Sequence, residues 1–559
     1  MKIKLFLVLL ITTEITLYTF AQVNTAWIRR FDGPANAMDI AKVIKIDDNG
    51  SVYVGGQISR TTGHPDLGVI KYNPNGDTLW VRYYNSPGNE GGEYFDLTLD
   101  KFGNVIITGS SIGANSTSDY ATIKYDTNGN ELWVRRYDDG NSDTPVALAV
   151  DDLGNIYVTG TSWRVNQNYN IVTIKYDKDG STLWTYSYNG YDNSGDFATD
   201  IAVDNQGNVF IAGTGAYHLN PTGTDYIIIK CNPSGDTLWT AKYDGTGTGF
   251  YDDDYVRAIA VDNSGNVYVT GESFNENNYL DIVTIKYNSN GDFIWVKRYR
   301  GAATGDEKVT DIAVDSSGNV FVTGSIVVNG SGADYVTIKY NSSGDEQWIK
   351  TYAGYSSYPD LASSIILDKL GNVYVTGTSS SSSSNVDFAT IKYDKDGNEK
   401  WVIKYNGSGN SYDNGNGICV DDSGNVFVTG SSADIGTQGD FVTIKYNQTL
   451  TGIGEDFTDL PCSFNLLQNY PNPFNPSTTI SWQSPVGSHQ TIKLFDVLGR
   501  EIETIVEGFY EAGNHSTLYI PTSTLPSGVY FYQLLVSALQ SKHELAGSFI
   551  VTKKMVLMR

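Results

Sequence analysis

Carboxylates stand at two fixed offsets along most of this chain. Eight residues before each aspartate of a recurring turn lies an acid: Asp39, Asp143, Asp196, Asp254, Glu307, Asp360 and Asp413. One repeat departs, with Gly92 at that position and Glu93 beside it. Five residues before each recurring lysine lies a second acid: Asp66, Asp119, Asp225, Asp281, Asp334, Asp387 and Asp440, with Asn170 in the remaining repeat. Oxygen-only sets of this kind suit a hard cation or a cationic ligand. The same residues can also cap strand ends by accepting backbone hydrogen bonds. A group needed once for chemistry has no reason to recur at every repeat. Symmetry therefore favours the capping role, with no dedicated cofactor and weak Ca2+ binding by the acidic ring as a by-product.

Other chemistry is sparse. The chain has five histidines, and only His64 and His218 fall within the repeats, each in a loop that varies between copies. No H-E-x-x-H, G-x-S-x-G or phosphate-binding glycine loop occurs. Turns such as Asp177-Lys-Asp179-Gly and Asp394-Lys-Asp396-Gly resemble calcium loops in their first half and then lose the alternation of oxygen ligands. The expectation is a protein without catalytic residues. A net charge of −25 argues against nucleic acid and anionic membrane surfaces as partners. The cysteines Cys231, Cys419 and Cys462 are odd in number and form no disulfide framework.

The elements that position these acids repeat eight times. D-x-x-G-N-V-Y-V-T-G places its first glycine at 50, 103, 154, 207, 265, 318, 371 and 424. T-I-K-Y places its lysine at 71, 124, 175, 230, 286, 339, 392 and 445. A third element, [LI]-W-V-[RK]-x-Y, follows the second in seven copies and is missing after Lys445. The eighth copy is the segment around Trp27, ahead of the first full repeat. An array whose first strand completes its last unit must close on itself, whereas an open solenoid would need two capped ends. Four strand candidates per unit, joined by tight turns and closed in a ring, predict an all-β fold: an eight-bladed β-propeller over residues 23–448. Alanines in the first strand suit the crowded centre. Arg82, Arg135, Arg136, Lys297 and Arg298 in the fourth strand would keep the outer edge from pairing with other molecules. Both short turns, D-x-x-G-N and [DN]-x-x-G, fall on one face. The long variable loops fall on the other, which is where binding is expected. The two sets of acids are expected as two concentric rings on that loop face.

These repeats resemble the SBBP β-propeller repeat, a likeness that implies a fold and no common activity. The ends of the chain carry signals of destination. Lys2 and Lys4 precede an apolar run ending near Ala21, which reads as a secretory signal peptide over 1–21. No later segment is long enough to span a bilayer. A linker over 449–463 leads to residues 464–559, where alternating strands predict a small Ig-like β-sandwich. That region resembles the type A C-terminal sorting domain of the type IX secretion system. The matching stretches are Tyr470-Pro471-Asn472-Pro473-Phe474, Leu494-Phe-Asp-Val-Leu-Gly-Arg500, Leu525-Pro526-Ser-Gly528-Val-Tyr530 and the basic end starting Lys553-Lys554. The resemblance implies partners in the outer-membrane translocon and its sortase. It implies delivery through the periplasm to the surface or surroundings of a Gram-negative-type bacterium of the Bacteroidetes and relatives.

Taken together, the sequence points to an exported, non-enzymatic binding scaffold whose loop face meets a carbohydrate or protein ligand. An exported glycan-degrading hydrolase or lyase with its site on the same face, and a structural envelope component, are the alternatives.

Overall fold

In the computed structural model, residues 22–449 and 464–558 are described apart from short stretches, the longest being 217–222, 248–252 and 538–548. The signal peptide, most of the linker, Cys462, His218, the side chain of His64 and Tyr470 lie outside the described residues. The chain divides into two compact units, Met1–Gly452 and Ile453–Arg559. Among the described residues no helix is long and apolar enough to cross a membrane.

The first unit holds eight four-stranded antiparallel sheets. Blade 1 comprises Ile40–Ile46, Val52–Thr61, His64–Tyr72 and Thr78–Tyr84. Blades 2 to 7 follow in the same order, and blade 8 takes its first three strands from Asp413–Val420, Val426–Ser432 and Asp440–Thr449. Its fourth strand is Gln22–Phe31, with Trp27 opposite Lys445 and Ile28 opposite Ile444. One core cluster joins the last blade to the first: Trp27, Phe427, Phe441 and Cys419 pack with Ala41, Ile44 and Val54. The ring is closed, as the displaced tryptophan element requires.

Burial follows position in the blade. Second and third strands such as Val105–Ile112 and Leu280–Tyr287 are buried on both faces, because blades cover them on either side. Fourth strands such as Glu131–Tyr137 are only partly covered. The D-x-x-G-N turn forms because the aspartate replaces backbone partners. Asp47 Oδ1 accepts from Asn49 N and Ser51 N at 3.0 and 2.8 Å, while Gly50 adopts φ 77°.

Blades are pinned to one another on the turn face. The repeat lysine and the repeat tryptophan of one blade both donate to one carbonyl in the third-to-fourth-strand turn of the next. Lys71 Nζ and Trp80 Nε1 meet Thr127 O at 3.0 and 3.1 Å, and Lys286 and Trp295 meet Ser342 O at 3.0 and 3.3 Å. The glycine of that turn lies flat on the indole: a Cβ at Gly76 would sit 2.8 Å from Trp27 Cδ2. Where blade 8 follows blade 7 the chain has no such turn, and Gln448 Oε1 takes the place of the carbonyl for Lys392 and Trp401. The lysines are scaffold.

The second unit is a two-sheet sandwich. Asn465–Leu466, Thr478–Ser484 and Gly513–Tyr519 form one sheet. The other runs Glu501–Tyr510, Ser488–Phe495, Gly528–Ser537, Phe549–Leu557. Both contribute to one core around Ile480, Trp482, Ile492, Tyr532 and Met555.

Candidate functional site

The acids at or just before the start of the first strand in seven blades are buried, and each is bonded to the connection arriving from the preceding blade. A backbone N–H six to nine residues upstream, or four upstream in blade 3, donates to the carboxylate: Gly33 to Asp39, Asp139 to Asp143, Gly190 to Asp196, Gly245 to Asp254, Gly301 to Glu307, Gly354 to Asp360 and Gly407 to Asp413, at 2.5 to 2.8 Å. Asp39 and Asp360 also accept from Ser59 N and Ser380 N in the second strand of the same blade. Burial pushes these carboxyls up, to about 6 for Asp39, Asp143 and Asp196 and about 7 for Asp254 and Glu307. Blade 2 does without the acid because a side chain at Gly92 would run into Ser110 O, and Glu93 is exposed.

Members of the second set lie close to members of the first. At five junctions the acid on a third strand lies in the field of the inner acid of the next blade: Asp440 beside Asp39, Asp119 beside Asp143, Asp225 beside Asp254, Asp281 beside Glu307 and Asp387 beside Asp413. Strand order explains this. The connection from the fourth strand of one blade to the first strand of the next crosses the sheet edge directly over the third strand's start. The fourth-strand cations serve these junctions as well. Arg136 is paired with Asp119 and Arg298 with Asp281, while Arg82 Nε donates to Gly129 O in the next blade's turn. Blade 3, with Asn170 in place of the acid, carries Ser187 where blade 2 carries Arg136, so a lost negative charge accompanies a lost positive one.

A third set was not singled out from sequence. Asp96, Asp200 and Asp311 stand four residues before the turn aspartate in blades 2, 4 and 6. Each first strand bulges one residue earlier, between Tyr94 and Asp96, Ala198 and Asp200, and Val309 and Asp311. Each carboxylate accepts from the amide of the following residue and from the corresponding amide of the next blade. The latter are Leu148 N at 3.0 Å, Ile259 N at 2.9 Å and Ile365 N at 2.9 Å. Burial, with Asp96 and Asp311 nearby, lifts Asp200 to about 7, and the Lys45 ammonium opposes the same rise at Asp96 and Asp311. The signal available in the sequence was an acid in three alternate repeats, inside a strand otherwise rich in Ala and Ile.

The loop face also holds a cavity of about 460 Å3 where blades 7, 8 and 1 meet. Tyr412, just before the first strand of blade 8, and Asn414 and Asn416 within it line the cavity, while the intervening Asp413 is buried on its own connection. Tyr412 is 63% exposed beside Met38 and Leu361, also exposed. Gln438, Ser363 and Thr378 supply further amide and hydroxyl groups. Among the described residues its lining includes no carboxylate, imidazole or thiol.

In the C-terminal unit, two stretches far apart in sequence lie together. Phe474 N donates to Val556 O and Met558 N to Phe474 O, both at 3.0 Å. Val556 N donates to Asn472 Oδ1 at 2.8 Å, and Asn472 Nδ2 to Lys554 O at 3.2 Å. Asn469 Nδ2 donates to Pro471 O at 3.2 Å. The Pro471–Phe474 segment, with Pro473 at its centre, therefore clamps the basic final strand that carries Lys553 and Lys554. Tyr530, two residues after Gly528, donates to Pro526 O at 2.7 Å. The Asp496–Gly499 turn reuses the propeller's chemistry, with Asp496 Oδ1 accepting from Leu498 N and Arg500 N.

Comparison with known proteins agrees with both units. Residues 468–546 match the secretion system C-terminal sorting domain. Residues 132–164, 247–279, 294–329, 347–383 and 401–434 match the β-propeller repeat SBBP. An uncharacterized WD repeat-containing protein of Acanthamoeba polyphaga mimivirus is 20% identical, over 57% of this chain and 32% of its own length, so the match spans about a third of that relative. Among solved structures, a polysaccharide lyase of family PL25, an ulvan lyase, is similar at 11% identity and a TM-score of 0.40, covering 67% of this chain and 95% of its own. The Pan2 WD40 domain of Neurospora crassa is similar at 10% identity and a TM-score of 0.41, covering 77% and 96%. The two family matches identify β-propeller repeats and a secretion system C-terminal sorting domain, and the sorting domain marks the protein for type IX export to the cell surface or beyond.

Proposed function

We propose that this exported propeller is a non-enzymatic binding protein and that the cavity between blades 7, 8 and 1 receives a carbohydrate. The observation that carries this is the lining. An exposed tyrosine stands beside a row of amides and hydroxyls, the combination that stacks on a sugar face and matches its hydroxyls. The lining offers neither an acid–base pair nor a nucleophile with its base, which glycan cleavage would need. The C-terminal unit acts as the address read by the translocon, with the sortase as the partner that removes it.

The test is to titrate the purified chain against a panel of polysaccharides and oligosaccharides, following binding and product formation together. Saturable binding without product, weakened about tenfold or more by Tyr412→Ala, is the expected result. Release of shorter or unsaturated products would replace this reading with an enzyme. Binding that Tyr412→Ala leaves unchanged would move the site elsewhere, and binding only to proteins would change the ligand class.

A further inference from the structure

One register position lines the mouth of the ring: the residue that follows the buried acid at the start of a first strand. Ile40 follows Asp39, Leu361 follows Asp360 and Asn414 follows Asp413, and all three line the cavity between blades 7, 8 and 1. Phe197 follows Asp196 in the first strand of blade 4, Asp196–Val203. It stands opposite Thr214 as Asn414 stands opposite Ser431, so the two residues sit at the same level of their blades. Blade 4 is four steps from blade 8 in a closed ring of eight, which puts Phe197 across the mouth from Asn414.

Phe197 is one half of an aromatic pair. Its ring centroid lies 5.2 Å from that of Tyr169, with the planes at 36°. Tyr169 belongs to the third strand of blade 3, Asn168–Tyr176, opposite Trp163 in the same hairpin. The absent side chain of Gly195 makes room for the pair, since a Cβ there would sit 2.9 Å from Phe197 Cε2. Phe197 is nevertheless 43% exposed and Tyr169 36%. Rings held in place yet open to water forgo the burial that a core role would give them. They present fixed apolar faces of the kind that stack on sugars. Asn168 and Asn193, close in sequence and both exposed, add amide groups.

Distance then selects the ligand. Sheets packed about 10 Å apart put the midlines of eight blades on a circle roughly 25 Å across. One sugar cannot touch both sides of such a mouth, whereas a chain of several can.

We propose that the ligand is an extended glycan chain that crosses the mouth, with one part in the cavity at Tyr412 and a later sugar stacked on Phe197 and Tyr169. The inference rests on the carbohydrate reading and makes the ligand polymeric. Once the first contact forms, the second becomes intramolecular, so two modest contacts on one chain add up to tight binding. A short oligosaccharide gains only the first.

The experiment uses the whole chain with end-labelled ladders of xylan, mannan and laminarin oligosaccharides, together with the parent polymers. Fluorescence anisotropy gives the affinity at each length. We expect, for at least one ladder, a rise of about tenfold or more once the chain is long enough to make both contacts. Phe197→Ala and Tyr169→Ala should each abolish that rise and leave the short members bound as before. Tyr412→Ala should weaken every length. Phe293→Ala, which removes another exposed aromatic from a fourth strand, is the control and should change nothing. Circular dichroism establishes that each variant is folded. A rise with length that survives both platform variants would overturn this inference and leave the carbohydrate reading standing, as would affinities independent of length. Equal losses in Phe293→Ala would mark general adhesion to exposed rings and overturn it too. No binding to any ladder or polymer would remove the carbohydrate reading and this inference together.

Discussion

Trp27 Nε1 and Lys445 Nζ both donate to Pro74 O, at 3.2 and 3.4 Å, from strands at opposite ends of the repeat array. The same pair of donors meets one turn carbonyl in each of six other junctions, so blade 8 grips blade 1 as blades 1 to 6 grip their successors.

Removing residues 22–31 should therefore open the ring. The third strand of blade 8 would become an edge with a row of unpaired backbone groups. We expect loss of cooperative unfolding and self-association in size-exclusion chromatography, both reversed by a synthetic peptide of residues 22–31. The point variant Trp27→Ala should cost about 3–5 kcal/mol in denaturant unfolding, as for other large-to-small core changes. A truncated chain that stays monomeric and unfolds as before would refute the clasp.

The axial aspartates make a sharper prediction. Position 417 in blade 8 is where blades 2, 4 and 6 place Asp, and it holds Gly. A Cβ there would lie 3.1 Å from Lys42 O, which must give slightly, and 3.4 Å from Ile44 N, the blade 1 amide equivalent to Leu148, Ile259 and Ile365. Gly417→Asp should stabilise the ring by about 1 kcal/mol through the added hydrogen bonds. Gly417→Ala reports the smaller gain from restricting the unfolded chain alone. Asp200→Ala should cost about 1–3 kcal/mol, because it leaves two amides without acceptors. Thermal unfolding of the three variants at pH 6 is the measurement. Equal effects of Asp and Ala at 417 would show that the carboxylate finds no partner.

How much of this was legible in the chain follows from the same residues. Trp27 announced the closure because its turn partner stands at the spacing of the other copies. The turn aspartates were equally plain, since an Asp or Asn side chain makes its bonds within four residues. Asp200 was not, because its partner Ile259 N is freed by a bulge in another blade and no local spacing records that. The meeting of Asp119 with Asp143 required knowing that a connection crosses above the third strand. The cavity at Tyr412 is assembled from three blades, so no single repeat contains it.

Stability should fall as pH rises through neutrality. Burial raises Asp39, Asp143 and Asp196 to about 6 and Asp254, Glu307 and Asp200 to about 7, all above their unfolded values. Between the unfolded and folded values the native state binds more protons, so these groups contribute most below about pH 4 and lose that contribution through pH 6–7. Asp394 works the other way: hydrogen bonds and Lys400 hold it near 2, and its contribution is lost only in stronger acid. Melting of the chelator-treated chain should therefore be higher at pH 5 than at pH 8. A curve that is flat or reversed across that window would contradict the burial of these acids.

In the C-terminal unit, Asn472→Ala should free the last strand from the Pro471–Phe474 segment. Faster amide exchange over 549–557, with the opposite sheet at 478–484 unchanged, is the expected pattern. Uniform exchange across the unit would show that Asn472 supports the fold and not the tail specifically.

The N-terminal strand has a consequence for the timing of export. Arg30 reaches Ser432 across 402 residues of intervening chain. A polypeptide that emerges N-terminus first must keep this strand waiting, with its ladder bonds unmade, until nearly all the repeats have followed. Seven blades can form on the way, and the eighth cannot. The ring is thus completed by arrival of its final hairpin, so a chain stalled or cut in transit remains open and recognisable as unfinished to any protease or chaperone that reads exposed strand edges.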